Sequence, residues 1–279
     1  MTDRRPFWCS PFLTGAVLWL ALSGAVLAQR NVPFNPRVAA GGCDTEAGYL
    51  STMQSFSPTF FYDVDAGVLT TDGFGATALD DRSGNNYDLA QTTDSKKMDL
   101  NAAAQNGLDV LDGDDVDDHL TLASVDNTTD LATWFIVAKD VGAAYMFEWG
   151  DGSEGSGISS VVGGGDDHQC HVDTTTGREF AGNGVDFGDP SVPHIYECVY
   201  DGSVDTEMES LVDGVSQGTN TTVGPLGNTL SELSIGAANT DTVWPLEGWI
   251  AAFWLSDAEE SSGDRDTIRA CLNDRWAVY

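Results

Sequence analysis

Between Asp81 and Leu122 the chain alternates short apolar steps with turn-forming residues. It reads Asp-Arg-Ser-Gly-Asn-Asn-Tyr-Asp-Leu from Asp81 to Leu89 and, after a polar connection, Val-Leu-Asp-Gly-Asp-Asp-Val-Asp-Asp-His-Leu-Thr-Leu from Val110 to Leu122. Asp, Ser, Gly and Asn favour tight turns because they bond the local backbone or tolerate positive φ, so the steps read as strands joined by short connections. The same grammar runs on towards the C-terminus. Expected strands are Leu108–Leu111, His119–Leu122, Thr133–Ala138, Tyr145–Trp149, Ile158–Val162, Gln169–Asp173, His194–Tyr200, Met208–Val212, Leu233–Ile235 and Trp249–Leu255. With no long helical period between them, this spacing predicts an all-β, antiparallel sandwich. Alternation puts Tyr196, Cys198 and Tyr200 on one face. Trp249–Leu255 is apolar throughout, as a strand covered on both sides would be.

The end of the chain changes period. Ser261 stands three residues before Asp264, a capping-box spacing with Asp in place of Glu. Ile268, Cys271, Leu272, Arg275 and Trp276 then recur at helical spacing, predicting a short C-terminal helix with one apolar stripe against the sandwich.

The start is different again. Arg4 and Arg5, the apolar run Phe12–Leu27 and the small-residue site Val26-Leu27-Ala28 read as an export signal cleaved after Ala28. A retained anchor is the competing reading, because the run approaches the lower limit for a spanning helix. Cleavage would make the protein secreted or displayed at the cell surface, with no membrane insertion afterwards. Residues 29–57 lack clear periodicity and read as a leader or linker. The rest, residues 58–279, suits one large all-β domain. The formal net charge of −32 excludes nucleic acid and anionic membranes as partners and fits either solubility or the holding of cations. Beyond Cys9 in the signal there remain Cys43, Cys170, Cys198 and Cys271, an even set that in an exported chain points to disulfides. The expected pairing is Cys170–Cys198 between neighbouring strands and Cys43–Cys271 tying the leading segment to the C-terminal helix. Free thiols are the alternative.

These phrases together resemble those of LamG-like, concanavalin A-type jelly-roll domains. The Ser-Gly-Asn turn after Asp81 and the run Leu111–Leu120 are similar to that family's "Asn/Asp-x-Ser-Gly-Asn" and "Phe-Asp-Gly-x-Asp-Asp-Tyr-Leu" signature. Val199-Tyr-Asp-Gly202 and Leu211-Val-Asp-Gly-Val215 resemble its paired hairpin phrases. Gly248–Trp276 can be laid on its closing phrase without a gap, Arg275 taking the usual Lys position. Glu260, Gly263 and Cys271 depart from the pattern. The likeness covers residues 58–279 and implies a jelly-roll β-sandwich of the concanavalin A-like lectin/glucanase type.

The resemblance admits lectins, structural modules and glycan-cleaving enzymes, so the residues must choose. Glycosidases of this fold carry a Glu-x-Asp-x-(x)-Glu pattern, and neither Glu207-Met-Glu209 nor Glu148-Trp-Gly-Asp151 reproduces it. No enzymatic activity is therefore expected. His168 and His171 fall on opposite faces of a strand, a poor geometry for one zinc, and this stretch reads as a surface loop with a structural cysteine. Gly163-Gly164-Gly165 lacks the following helix and Lys of a phosphate cradle. Hard oxygen ligands concentrate in Asp112–Asp118. They make calcium the one cofactor expected, if any, at Asp114, Asp117 and Asp118, with Asp81 as a further ligand. Related LamG domains often hold calcium at a rim between loops. Trp149, Trp244 and Tyr145, in or beside Gly- and Asp-rich connections, are the candidate ligand-binding aromatics for stacking on sugars. The function expected is binding of a glycan, or of a cell-surface or matrix protein, through rim loops. A structural or adhesion role at a cell envelope, matrix or virion surface is the alternative.

Overall fold

The computed structural model describes residues 42–67, 70–140, 142–153, 156–163, 167–182, 187–189, 191–203, 207–238 and 244–279. The expected export signal and the first part of the leader lie outside them. Among the described residues no helix is long and apolar enough to cross a membrane.

The elements, in chain order, are α1 (Glu46–Ser55), β1 (Phe60–Asp63), β2 (Thr70–Asp72), β3 (Gly75–Leu79), β4 (Leu89–Ala90), β5 (Asp99–Gln105), β6 (Leu108–Asp114), β7 (Leu120–Asn127), β8 (Leu131–Asp140), β9 (Ala144–Gly150), β10 (Ile158–Val162), β11 (His168–Thr174), β12 (Gly177–Ala181), β13 (His194–Asp201), β14 (Glu207–Val212), β15 (Val215–Asn220), β16 (Leu230–Ile235), β17 (Glu247–Ser256) and α2 (Ser262–Trp276). The first sheet, here called the helix-covered sheet, runs β15-β14-β13-β8-β17-β6-β5, and β1 also pairs with β17. The second runs β12-β11-β10-β9-β16-β7-β4-β3-β2. Every strand pair among the described residues is antiparallel. Two hairpins show why the sequence turns where it does. Asn106-Gly107 and Asp213-Gly214 each place two successive residues at positive φ, as a two-residue turn matching strand twist demands.

The main core fills the space between the sheets, around Phe60, Trp134, Phe147, Trp149, Tyr196 and Phe253. Tyr196, Cys198 and Tyr200 share its side of β13, as alternation requires. A second core lies on the outer face of the helix-covered sheet, where Phe61, Phe135, Val137, Ile195 and Trp254 meet α1 and α2. Both expectations for β17 and α2 follow from this layering. Phe253 and Leu255 face the inner core while Trp249 and Trp254 face the outer one. Ser261 caps α2 by accepting from the Asp264 amide, and Ile268, Cys271, Leu272 and Trp276 are buried beneath the helix.

Three expectations need correction. Residues 46–55 of the supposed leader form a helix whose Tyr49 and Met53 are buried in the outer core. The surface loop read around His168 is instead the start of β11, which contains the expected strand Gln169–Asp173; His168 is buried, and His171 falls on the opposite face as expected. Both disulfides join the cysteines expected, with Cα separations of 5.0 Å for Cys43–Cys271 and 5.9 Å for Cys170–Cys198. Cys170 and Cys198, however, are not on neighbouring strands. They lie on β11 and β13 of opposite sheets, so this bond staples the sandwich through its core.

Candidate functional site

Four segments meet at one rim of the sandwich, and backbone hydrogen bonds hold them in place. The β2–β3 hairpin is attached through Ala76 N–H to Met98 O (2.8 Å), and the segment after β6 through His119 N–H to Lys96 O (3.0 Å). The run into β17 joins them, because Asp115 N–H donates to Leu246 O at 3.1 Å and Tyr145 N–H donates to Trp244 O at 2.8 Å. Gly113 is required here: a Cβ at that position would sit 2.5 Å from the Leu246 carbonyl oxygen. Beneath the surface Lys97 is wedged between Asp72 and Asp94, 2.6 Å from each, and the ring of His119 packs 2.7 Å from the Asp117 carbonyl.

On this frame Asp114, Asp117 and Asp118 each offer a carboxylate oxygen within 4.8 Å of the others. Asp118 is buried, and that burial, with the charges of Asp114, Asp99 and Asp117, pushes its carboxyl up to about 7. Three such oxygens at this spacing match the shell of a cation whose oxygen ligands stand about 2.3–2.6 Å away, the calcium range. They fit a hydrolytic pair less well, since retaining glycosidases hold their carboxyl groups about 5–5.5 Å apart and inverting ones further.

Asp81 does not join the group. Its carboxylate accepts from the Phe61, Ser83 and Tyr87 amides and from the Ser83 hydroxyl, which organises the Ser-Gly-Asn turn instead. The aromatic candidates divide. Trp149 is fully buried, edge-on to Phe60 at 4.8 Å, and offers no face to a ligand. Tyr145 is also buried, 6.2 Å from the ring of Trp244. Trp244 alone of the three is exposed, at 50 %.

Sequence reasoning missed Phe74. It stands at the tip of the β2–β3 hairpin, 62 % exposed, with the Lys97 ammonium 5.7 Å from its ring centre. The available signal was Gly73-Phe74-Gly75, an aromatic set between two residues without side chains, where no strand could bury it. Leu100 and Val116 are exposed at the same rim, so half of the large exposed apolar side chains among the described residues gather there. Two open depressions flank β5. One, of about 330 Å³, is lined by Thr71, Asp72, Phe74, Asp99 and Leu100. The other, of about 530 Å³, lies on the outer face of the helix-covered sheet between Asn101, Asp112, Lys139, Glu247 and Trp249.

Among solved structures, this arrangement of sheets is shared with an arabinofuranosidase complexed with arabinofuranosyl-α-1,2-xylobiose, at a TM-score of 0.55 and 12 % identity over 72 % of this chain. It is shared also with the botulinum neurotoxin serotype D binding domain, at 0.51 and 10 % over 80 %. The fold is the concanavalin A-like jelly roll. A further structure with this jelly roll, the serotype D ligand binding domain in complex with N-acetylneuraminic acid, aligns at 0.50 and 9 % over 80 % of the chain. The chain spans about half the length of these three, between 51 % and 52 %. No family model and no curated protein matches the sequence. Likeness at such identity establishes the jelly roll and leaves its use to the residues.

Proposed function

We propose that this jelly roll is a non-catalytic recognition module of an exported protein that binds glycan at the Phe74–Trp244 rim, with calcium held by Asp114, Asp117 and Asp118. The carrying observation is the coincidence, at one rim, of three converging carboxylates with two exposed aromatic rings. Sugar sites pair an aromatic surface with a few polar groups, and calcium bound to three carboxylates would relieve their mutual repulsion and fix the loop. Solved jelly rolls complexed with a sialic acid and with an arabinosylated xylobiose support a carbohydrate ligand. The two disulfides support an oxidising destination. Hydrolysis is the weaker reading, because the Asp114, Asp117 and Asp118 oxygens crowd within 4.8 Å.

A glycan array run with calcium and with chelator tests the reading. Calcium-dependent binding that Phe74→Ala lowers by about tenfold, the loss of one stacking contact, is the expected result. Silence in both conditions, together with self-association on sizing, would overturn it in favour of the structural or adhesion role.

A further inference from the structure

The depression beside β5 carries an arrangement that the rim reading does not use. In β6, Val110 belongs to the outer core, so alternation sends Asp112 and Asp114 to that same outer face. In β17, Trp249 faces the outer core and Glu247, two residues earlier, joins it. The strand register then sets acid against acid twice: Asp99 lies directly opposite Asp112, and Asp114 directly opposite Glu247. Residues paired in this way bring their Cβ atoms to about 4.5–5.5 Å, and like charges so placed destabilise the sheet. Little compensates them. Among the described residues Lys139, opposite Trp249, is the one cation lining the depression, while Lys97 is engaged by Asp72 and Asp94.

Calcium on Asp114, Asp117 and Asp118 would leave Asp112 and Glu247 with their charge turned to the depression. Asn101, whose amide donates to Asp112 at 3.2 Å, adds a polar group, and Trp249 forms an apolar floor. About 530 Å³ lies within the range of small-ligand clefts, roughly 300–1,000 Å³. An anionic sugar entering here meets repulsion from these carboxylates. A protonated amine meets attraction of the same size.

Resting on the glycan-binding reading, we infer that the Asn101–Asp112–Glu247–Trp249 depression selects glycans whose sugars carry free amino groups. The ligand class is therefore a polyamino sugar, and sialylated or sulfated glycans are excluded.

Titration calorimetry in calcium, at a pH where the amines are protonated, tests this with the tetramer of glucosamine, the tetramer of N-acetylglucosamine and sialyllactose. The glucosamine tetramer should bind about tenfold tighter than its acetylated counterpart, as one added charge-assisted contact gives, and sialyllactose should not bind. Asp112→Asn and Glu247→Gln should each abolish that preference while retaining the acetylated tetramer's affinity. Glu46→Gln, an exposed acid on α1, should leave the preference intact. An equal loss in Glu46→Gln would reduce the effect to bulk charge and overturn the inference. Equal affinity for both tetramers would overturn it while the glycan reading stood. Failure of every sugar to bind, here and on the array, would remove both.

Discussion

Asp118 owes its raised carboxyl, near 7, first to burial and then to Asp114, Asp99 and Asp117. Without metal, the folded chain keeps a proton there that the unfolded chain, titrating near 3.8, has released. Stability from this group is therefore present at low pH and declines as pH rises from about 4 through about 7. Asp118→Asn cannot ionise, so at pH 8 in chelator it should melt above the wild type. In calcium the order should reverse, because the wild type gains the free energy of binding and the variant does not. Melting curves in the two buffers check this, and an equal loss for Asp118→Asn in both would dismiss the metal. Carboxylates of such different fates look alike in sequence. Asp81 and Asp114 both follow an apolar step and precede turn residues, yet one accepts three bonds from its own turn and a fourth from Phe61 of β1, while the other faces a cluster. Trp149 and Trp244 differ likewise. Trp149 closes a strand buried along its whole length, a fact that only the packing of two sheets supplies.

Helix α2 is fastened to the sheet by charges as well as by its apolar stripe. Arg265 and Arg269 converge on Glu197 of β13, whose side chain is fully buried, at 3.0 and 2.6 Å. Arg275 grips Asp63 of β1 through two nitrogens, at 2.9 and 3.1 Å, and reaches Asp65. Glu197→Gln would leave two guanidinium groups poorly matched under the helix. It should lower the unfolding free energy by about 3 kcal/mol, the lower end of the range for breaking a buried pair, since Asp266 and Glu209 remain. A urea titration with disulfides intact measures this, and an unchanged midpoint would mean that the apolar stripe alone holds α2. The helix itself was legible from its capping box and three-to-four spacing. Helix α1 was not, because only Tyr49 and Met53 mark its buried side and ten residues give too short a stripe to stand out. Strands β2 and β5 were hidden for a related reason: they are exposed and carry little apolar residue for a period to show.

At the scale of the whole molecule, the sandwich was readable because its hairpin turns need Gly, Asp and Asn at fixed places. The rim was only partly readable, since Phe74, Asp99, Asp114 and Glu247 are brought together by strand order. Cys43 and Cys271 close the domain on itself across a separation of 228 residues. Tension applied to the two ends of the chain therefore travels from the leading segment directly into the last turns of α2. The sheets lie outside the path of the load. Stretched from its ends, a single molecule should yield no unfolding step until a reductant is added, and should then release roughly 800 Å of hidden contour. A long extension without reductant would show that this bond is not carrying the force. The rim that carries Phe74 and Trp244 would keep its shape while the ends were pulled.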